Sequence, residues 1–253
     1  MKPETRSPGP GDAAFFQRAR DLYEDIAPAF DRSRGKAPWE PLVEFMSGQA
    51  ARDVLSTVQP AGLVMDLGCG NGRNIAFIKT TFNARACVGL DISASLLRAA
   101  RSREGSRPFP DVVQASMSAP PFRDGTFAAV ACVAALHHSP SKASMREIIG
   151  RVRDSMRGGG VLVLSVWRKW QKRFRGQVAR NVISLKPRPG LVHVPWKDAR
   201  DSTVHDREYY LLSRREASKI LKEYFALASW SVLGGPGGGD NLFFLARSLK
   251  ERI

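Results

Sequence analysis

The residues best suited to chemistry are two acids and a run of alternating glycines, Asp66-Leu67-Gly68-Cys69-Gly70-Asn71-Gly72 and Asp91. Glycines let backbone approach a ligand closely and permit positive φ. Asp91 closes a second apolar run, where a carboxylate can accept hydrogen bonds from both hydroxyls of a ribose. The glycine spacing is G-x-G-x-G, with Arg73 next in line, so the G-x-G-x-x-G of a dinucleotide site is absent. No phosphate-loop lysine follows either. Asp66 sets a negative charge beside the loop, which suits a cationic ligand group better than a pyrophosphate. The bland alternative is a glycine turn with no ligand.

These residues need a scaffold that brings strand ends together. Leu63 to Asp66 reads as a short buried strand running into the glycines, followed by a helix over 73–82. Further strands are expected at Cys87–Asp91, Val112–Ala115, Phe127–Val133 and Val161–Val166. Helices alternate with them, one capped by Ser93 and one over 141–156. Strand and helix in alternation predict an α/β, Rossmann-like, mostly parallel sheet with helices on both faces. A helix over 213–224 is followed by Leu227–Leu233, a glycine-rich turn Gly234–Gly239 and Leu242–Ala246, which predict an antiparallel hairpin closing a seven-stranded sheet. Two amphipathic helices are expected over 13–58, the second ending at Pro60. An insertion over 168–212 shows little periodicity. Residues 1–12 read as a disordered lead-in and 13–253 as one domain.

Together these residues resemble the S-adenosylmethionine-binding motifs of class I methyltransferases. The resemblance assigns Asp66, Gly68, Cys69, Gly70, Gly72, Asp91, Ile92, Ser116 and Met117 to the cofactor. Ser116 stands where that fold usually offers an acid to the adenine amino group, and Ala128 stands where many relatives have Asp. The resemblance narrows further. Tyr23–Ala27, Phe30–Arg34, Trp39, Leu136-His137-His138-Ser139-Pro140-Ser141, Val194-Pro195-Trp196, Arg207–Leu212 and Asp240-Asn241 are similar, in order, to the wobble-uridine tRNA methyltransferases, which esterify 5-carboxymethyluridine. That family implies tRNA as substrate and a small zinc-binding activator protein as partner.

The chemistry of that reaction sets roles for side chains. A carboxylate is already ionised near neutral pH, so it needs orientation rather than a general base. Arginine holds a carboxylate in a planar fork. By resemblance Arg34 is the first such candidate and Arg207 the second, although Arg34 could instead pair with Asp31. Of His137 and His138, one is expected to face the substrate and the other to pack. Of Tyr209 and Tyr210, one is expected to stack on a base and the other to join the core; Tyr209 is the site candidate. Trp39 and Trp196 read mainly as packing, and Asp240 and Asn241 as pocket or turn residues.

Composition bounds the partners. With 39 Lys+Arg against 24 Asp+Glu in 253 residues, the formal charge of +15 points to an anionic macromolecule or membrane surface. Residues 168–188 hold eight of these cations and no acid. Arg168, Lys169, Lys172, Arg173 and Arg175 are the predicted RNA contacts, with Trp170 and Phe174 on a shared helical face; an amphipathic membrane segment is the alternative. The longest apolar run, Phe127–Leu136, is too short to span a bilayer. Three unpaired-looking cysteines argue against a disulfide scaffold or a Cys-based zinc site and favour a reducing, cytoplasmic setting. The reading is an S-adenosylmethionine-dependent tRNA methyltransferase. The alternatives are a small-molecule O- or C-methyltransferase and a catalytically silent tRNA-binding scaffold.

Overall fold

The computed structural model describes residues 10–57, 62–103, 111–197 and 204–249. Five parallel strands form the centre: β1 (Leu63–Leu67), β2 (Ala86–Asp91), β3 (Asp111–Gln114), β4 (Phe127–Val133) and β5 (Met156–Trp167). The C-terminal hairpin adds β8 (Phe225–Leu233) and β9 (Asn241–Ser248), with β9 antiparallel to both β5 and β8. The seven-stranded order is β3-β2-β1-β4-β5-β9-β8. The chain reverses direction of sheet growth between β1 and β4, and ligands bind at such switch points beyond the carboxyl ends of the strands.

Strand alternation sends side chains into two cores. On β4, Val130 and Cys132 pack with Met145, Ile148 and Val152 of α6 (Lys142–Ser155) and with Ala217 and Leu221 of α8 (Arg214–Lys222). Ala129, Ala131 and Val133 face Ile75 and Ile78 of α4 (Ile75–Thr81) and Leu97 and Ala100 of α5 (Ala94–Arg101). Both faces of a parallel sheet are thus covered. Ser93 caps α5 by accepting from Leu96 N, and Ser213 with Glu216 forms a reciprocal capping box on α8, each a contribution of about 1 kcal/mol.

The N-terminal region differs from expectation in two ways. Helix α1 (Pro10–Arg34) begins inside the anticipated lead-in, whose residues 1–9 lie outside the described residues. The second amphipathic stretch breaks into α2 (Glu40–Met46) and α3 (Gln49–Leu55), because Gly48 is extended between them and serves as N-cap of α3. Its expected end at Pro60 lies outside the described residues.

The insertion is also more ordered than its sequence suggests. It holds α7 (Arg175–Ile183) and a two-stranded antiparallel sheet of β6 (Leu191–Lys197) and β7 (Val204–Tyr210). Val192, Val194 and Tyr209 form a small core of their own with Phe174 and Val178. Proline at position 195 and charged residues between the apolar ones mask the strand period. Among the described residues, no helix is long and apolar enough to cross a membrane.

Candidate active site

The glycine loop leaves β1 and turns under the end of β2. Gly68 has φ +75°, and a side chain there would strike Ala135, its Cβ 2.3 Å from that methyl. Gly70 has φ +54°, where a Cβ would touch the Phe30 ring at 3.8 Å, and its N–H donates to Asp91 Oδ2 at 2.8 Å. Asp91 Oδ1 accepts from Ser93 N at 3.0 Å. The Ile92 N–H bears on the same carboxylate, so three backbone donors share its acceptor sites and capacity remains for a ligand hydroxyl. Burial raises Asp91 above the usual carboxylate range. Asp66 is buried at the end of β1, and its Oδ2 has no hydrogen-bond partner. Burial and the Asp91 charge push its pKa up to about 7.

A narrow cavity of about 90 Å³ lies beside this loop, bounded by Asp91, Ile92, Ala115, Ser116 and Met117 on the sheet side. Phe16, Ala19, Tyr23 and Phe30 of α1 roof it. Ser116 Oγ lies 2.7 Å from Ser118 Oγ, so its hydroxyl is engaged within its own loop. Gly72 lines neither this cavity nor the next. It packs on α5, where a Cβ would lie 2.8 Å from that of Ala100. Its part is to seat the loop.

A wider cavity of about 440 Å³ continues from the same loop. Tyr23, Phe30, Gly68, Gly70, Ala134 and His138 border both. Ala134 holds φ +53°, an unfavourable region for a side-chain-bearing residue, at the turn that delivers the two histidines. His137 is buried against the Trp167 ring, and its Nδ1 accepts from Trp167 N at 3.4 Å. His138 reaches further: its Nε2 lies 3.3 Å from the Tyr23 hydroxyl, which lies 3.3 Å from that of Tyr209. Burial and the nearby guanidiniums of Arg207 and Arg34 bring His138 down to about 3. His137 is likewise held well below the usual range, first by burial and then by His138 and the same arginines. Both rings are neutral near pH 7. Tyr209 lines the cavity while Tyr210 belongs to the core.

Among the described residues, four cations, Arg34, Arg73, Lys172 and Arg173, and one acid, Asp240, border the wider cavity. The Arg34 guanidinium lies 4.8 Å over the Phe30 ring, while Asp31, its possible partner by sequence, accepts from Asn71 Nδ2 at 2.6 Å. Arg207 is buried behind Tyr209, its Nε donating to Val194 O. It opens on a third cavity, shared with Tyr23 and His138. Among the described residues no carboxylate pairs with it. Arg73 had no role in the sequence reading because it stands where a glycine loop simply continues into helix. Only the return of residues 34–39 across that loop gives it one.

Residues 64–160 match the family described as a methyltransferase domain. The chain carries a methyltransferase domain. A Bos taurus relative named "Probable tRNA methyltransferase 9B" is 30% identical over 156 residues, 62% of this chain and 30% of that protein. The Saccharomyces cerevisiae tRNA (carboxymethyluridine(34)-5-O)-methyltransferase is 27% identical over 147 residues, 58% of this chain and 46% of that one. The chain therefore spans less than half the length of either. A SAM-dependent methyltransferase from Methanosarcina mazei has the same fold, with TM-score 0.62 at 18% identity over 85% of this chain and 100% of that one. A methyltransferase solved with the Haloferax volcanii Trm112 methyltransferase activator gives TM-score 0.58 at 13% identity over 92% and 98%.

The residues present fit S-adenosyl-L-methionine, the methyl donor named for the Methanosarcina mazei structure. Gly68 and Gly70 leave the cavity wall without side chains, and Asp91 keeps acceptor capacity for ribose hydroxyls, while Asp66 is buried beneath the loop and borders neither cavity.

The basic segment of the methyltransferase divides sharply. Lys172, Arg173 and Arg175 are exposed. Lys169 is buried, with Nζ 3.2 Å from Glu216 Oε1, so its charge is spent inside the fold and it is no RNA contact. Arg168 is only partly exposed and its Nε is buried without a partner. Trp170 is exposed while Phe174 is in the core, and the chain around them is turn rather than helix, so the expected shared aromatic face does not form. Trp196 packs against α1 beside Tyr23 and Ile26, and Trp39 against Phe243.

Proposed function

We propose that this methyltransferase esterifies a carboxylate on tRNA, the carboxymethyl group of a wobble uridine. The observation that carries the reading is the wider cavity: it is bordered by four cations, Arg34, Arg73, Lys172 and Arg173, and its two histidines are neutral. A buried arginine with no paired carboxylate among the described residues, Arg207, lies just behind it. Such a site suits a substrate that arrives as an anion, and holding one offsets part of the several kcal/mol that burying a lone charge costs.

The cofactor supplies an electrophilic methyl group on a sulfonium. The chain's own residues then have two tasks, to fix the carboxylate in line and to keep water out. Arg34 at the mouth holds one carboxylate oxygen, leaving the other free to react. Tyr23, Phe30 and Tyr209 wall the site with rings and exclude solvent. No residue has to take a proton, which agrees with histidines too weakly basic to accept one near pH 7. Lys172, Arg173 and Arg175 engage the RNA backbone at the rim. The activity for which the yeast relative is named supports the substrate, and the haloarchaeal complex, with the family resemblance, supports a small zinc-binding activator as partner.

Methyl transfer from labelled S-adenosylmethionine to tRNA bearing 5-carboxymethyluridine, with and without the activator, tests this. Alkali-labile label on the tRNA is the expected result. Unlabelled tRNA in the activator's presence, with cofactor binding shown independently, overturns it and moves the assignment to a small-molecule acceptor.

A further inference from the structure

Arg103 stands past the end of α5, in a stretch without any recognisable motif, yet its side chain is only 11% exposed. Its guanidinium donates to three backbone carbonyls. Nε donates to Asn71 O at 2.9 Å, Nη1 to Lys36 O at 2.7 Å and Nη2 to Gly35 O at 3.3 Å. Asp31 Oδ1 stands 3.8 Å from Nη2. One fork therefore bridges the middle of the cofactor loop and the chain reversal that immediately follows Arg34.

Neighbouring hydrogen bonds reinforce the same seam. Asn71 Nδ2 donates to Asp31, Arg73 Nη1 to Arg34 O at 3.3 Å, and Trp39 N to Asn74 Oδ1 at 2.9 Å. Gly35 takes φ +65° at the reversal, so the direction in which Arg34 leaves α1 depends on how residues 35 and 36 are held. Their carbonyls are the ones Arg103 grips. Those bonds are charge-assisted and converge from one planar fork, which makes them directional; the one to Asn71 O is part-buried and the two to residues 35 and 36 lie at the surface.

We infer that Arg103 is a positioning residue: it fixes residues 34–36 to the glycine loop and so aims Arg34 at the substrate carboxylate. It touches neither cavity itself. This inference rests on the proposed role of Arg34 and deepens it, because it makes carboxylate recognition depend on the loop that holds the cofactor.

A double-mutant cycle tests it, read as single-turnover methyl transfer to tRNA bearing 5-carboxymethyluridine at saturating cofactor. Arg103→Met is expected to slow turnover on the order of tenfold to a hundredfold. Arg34→Ala/Arg103→Met is expected to be no slower than Arg34→Ala alone, within about twofold. Arg103→Lys keeps the charge but loses the three-point fork. It should melt with the wild type yet turn over like Arg103→Met, which separates aim from folding. Losses that multiply in the double variant overturn the inference, as does full turnover in folded Arg103→Lys. Wild-type turnover in Arg34→Ala overturns the reading of Arg34 itself, and the two failures are thereby told apart.

Discussion

His138 Nε2 and the Tyr23 hydroxyl stand 3.3 Å apart on the wall common to the cofactor and substrate cavities. The same hydroxyl reaches Tyr209 at 3.3 Å, so one oxygen on α1 ties the histidine turn to β7. Replacing Tyr23 with Phe leaves two buried polar groups without their partner. The cost should be about 1–3 kcal/mol, read as a lower denaturation midpoint. Methyl transfer at saturating substrates should fall less than in Arg34→Ala, because no proton passes through this chain.

The depressed histidines set the pH profile of turnover. His138 at about 3 stays neutral from mildly acidic to alkaline pH. The turnover number with saturating cofactor and tRNA should therefore be flat between about pH 6 and 9, with no limb near the ordinary imidazole value. A rising limb centred near pH 6.5 would assign a histidine base and contradict transfer to a preformed carboxylate.

Asp66 should give the opposite pattern in binding. Its pKa of about 7 lies above the unfolded carboxylate value, so the native state binds the extra proton between about pH 4 and 7. Stability of the cofactor-free protein then falls as pH rises through that window, by up to about 1.4 kcal/mol per pH unit. A cationic ligand favours the charged form, so S-adenosylmethionine should bind more tightly as pH rises through 7. Calorimetric titration at several pH values checks this, and Asp66→Asn should flatten both slopes.

Asp91→Ala removes the acceptor of Gly70 N as well as the proposed ribose contact. Cofactor affinity should drop by roughly tenfold to a hundredfold, on the scale of charge-assisted hydrogen bonds worth about 1.5–3 kcal/mol. Affinity for tRNA, measured by filter binding, should stay near wild type.

Two groups of basic residues should separate cleanly. Lys172→Ala with Arg173→Ala should weaken tRNA binding and lower the salt slope by roughly 1 for each phosphate no longer neutralised. Lys169→Ala should leave that slope alone and reduce stability, since Glu216 would lose its buried cation and keep only the more exposed Lys142 beside Ser213. Glu216 is held down to about 2, mainly by hydrogen bonds from Ser213 and by Lys169, against desolvation that raises it. Its contribution is present above its unfolded pKa and disappears as pH falls through about 2.

The sheet and the cofactor end were legible because their signals are local. Leu63–Asp66, the glycines and Asp91 are short-range patterns, and the strand they imply appears as β1 with its loop under β2. The substrate end is assembled from distant segments. Arg73 gains its place from the return of residues 34–39, and Lys169 loses its freedom to Glu216, 47 positions away. No window of sequence carries either fact. The β6–β7 hairpin lacks a local signal for a different reason: its apolar residues are divided among three cores, Val192, Val194 and Tyr209 in one, Tyr210 in the main core and Trp196 against α1.

The recognisable stretch, residues 64–160, contains the glycine loop and both histidines but neither α1 nor the β6–β7 hairpin. Phe16 and Tyr23 of the roof, Arg34 at the mouth, and Arg207 and Tyr209 behind it all come from outside that stretch. Glu24 fastens the roof to the core by accepting from Ser95 N at 3.0 Å and from Ala94 N at the start of α5. The matched stretch and the working unit of this domain are thus different lengths of chain. Because α1 roofs the narrow cavity and also carries Arg34 to the wider one, a change in that flank reaches both cavities at once.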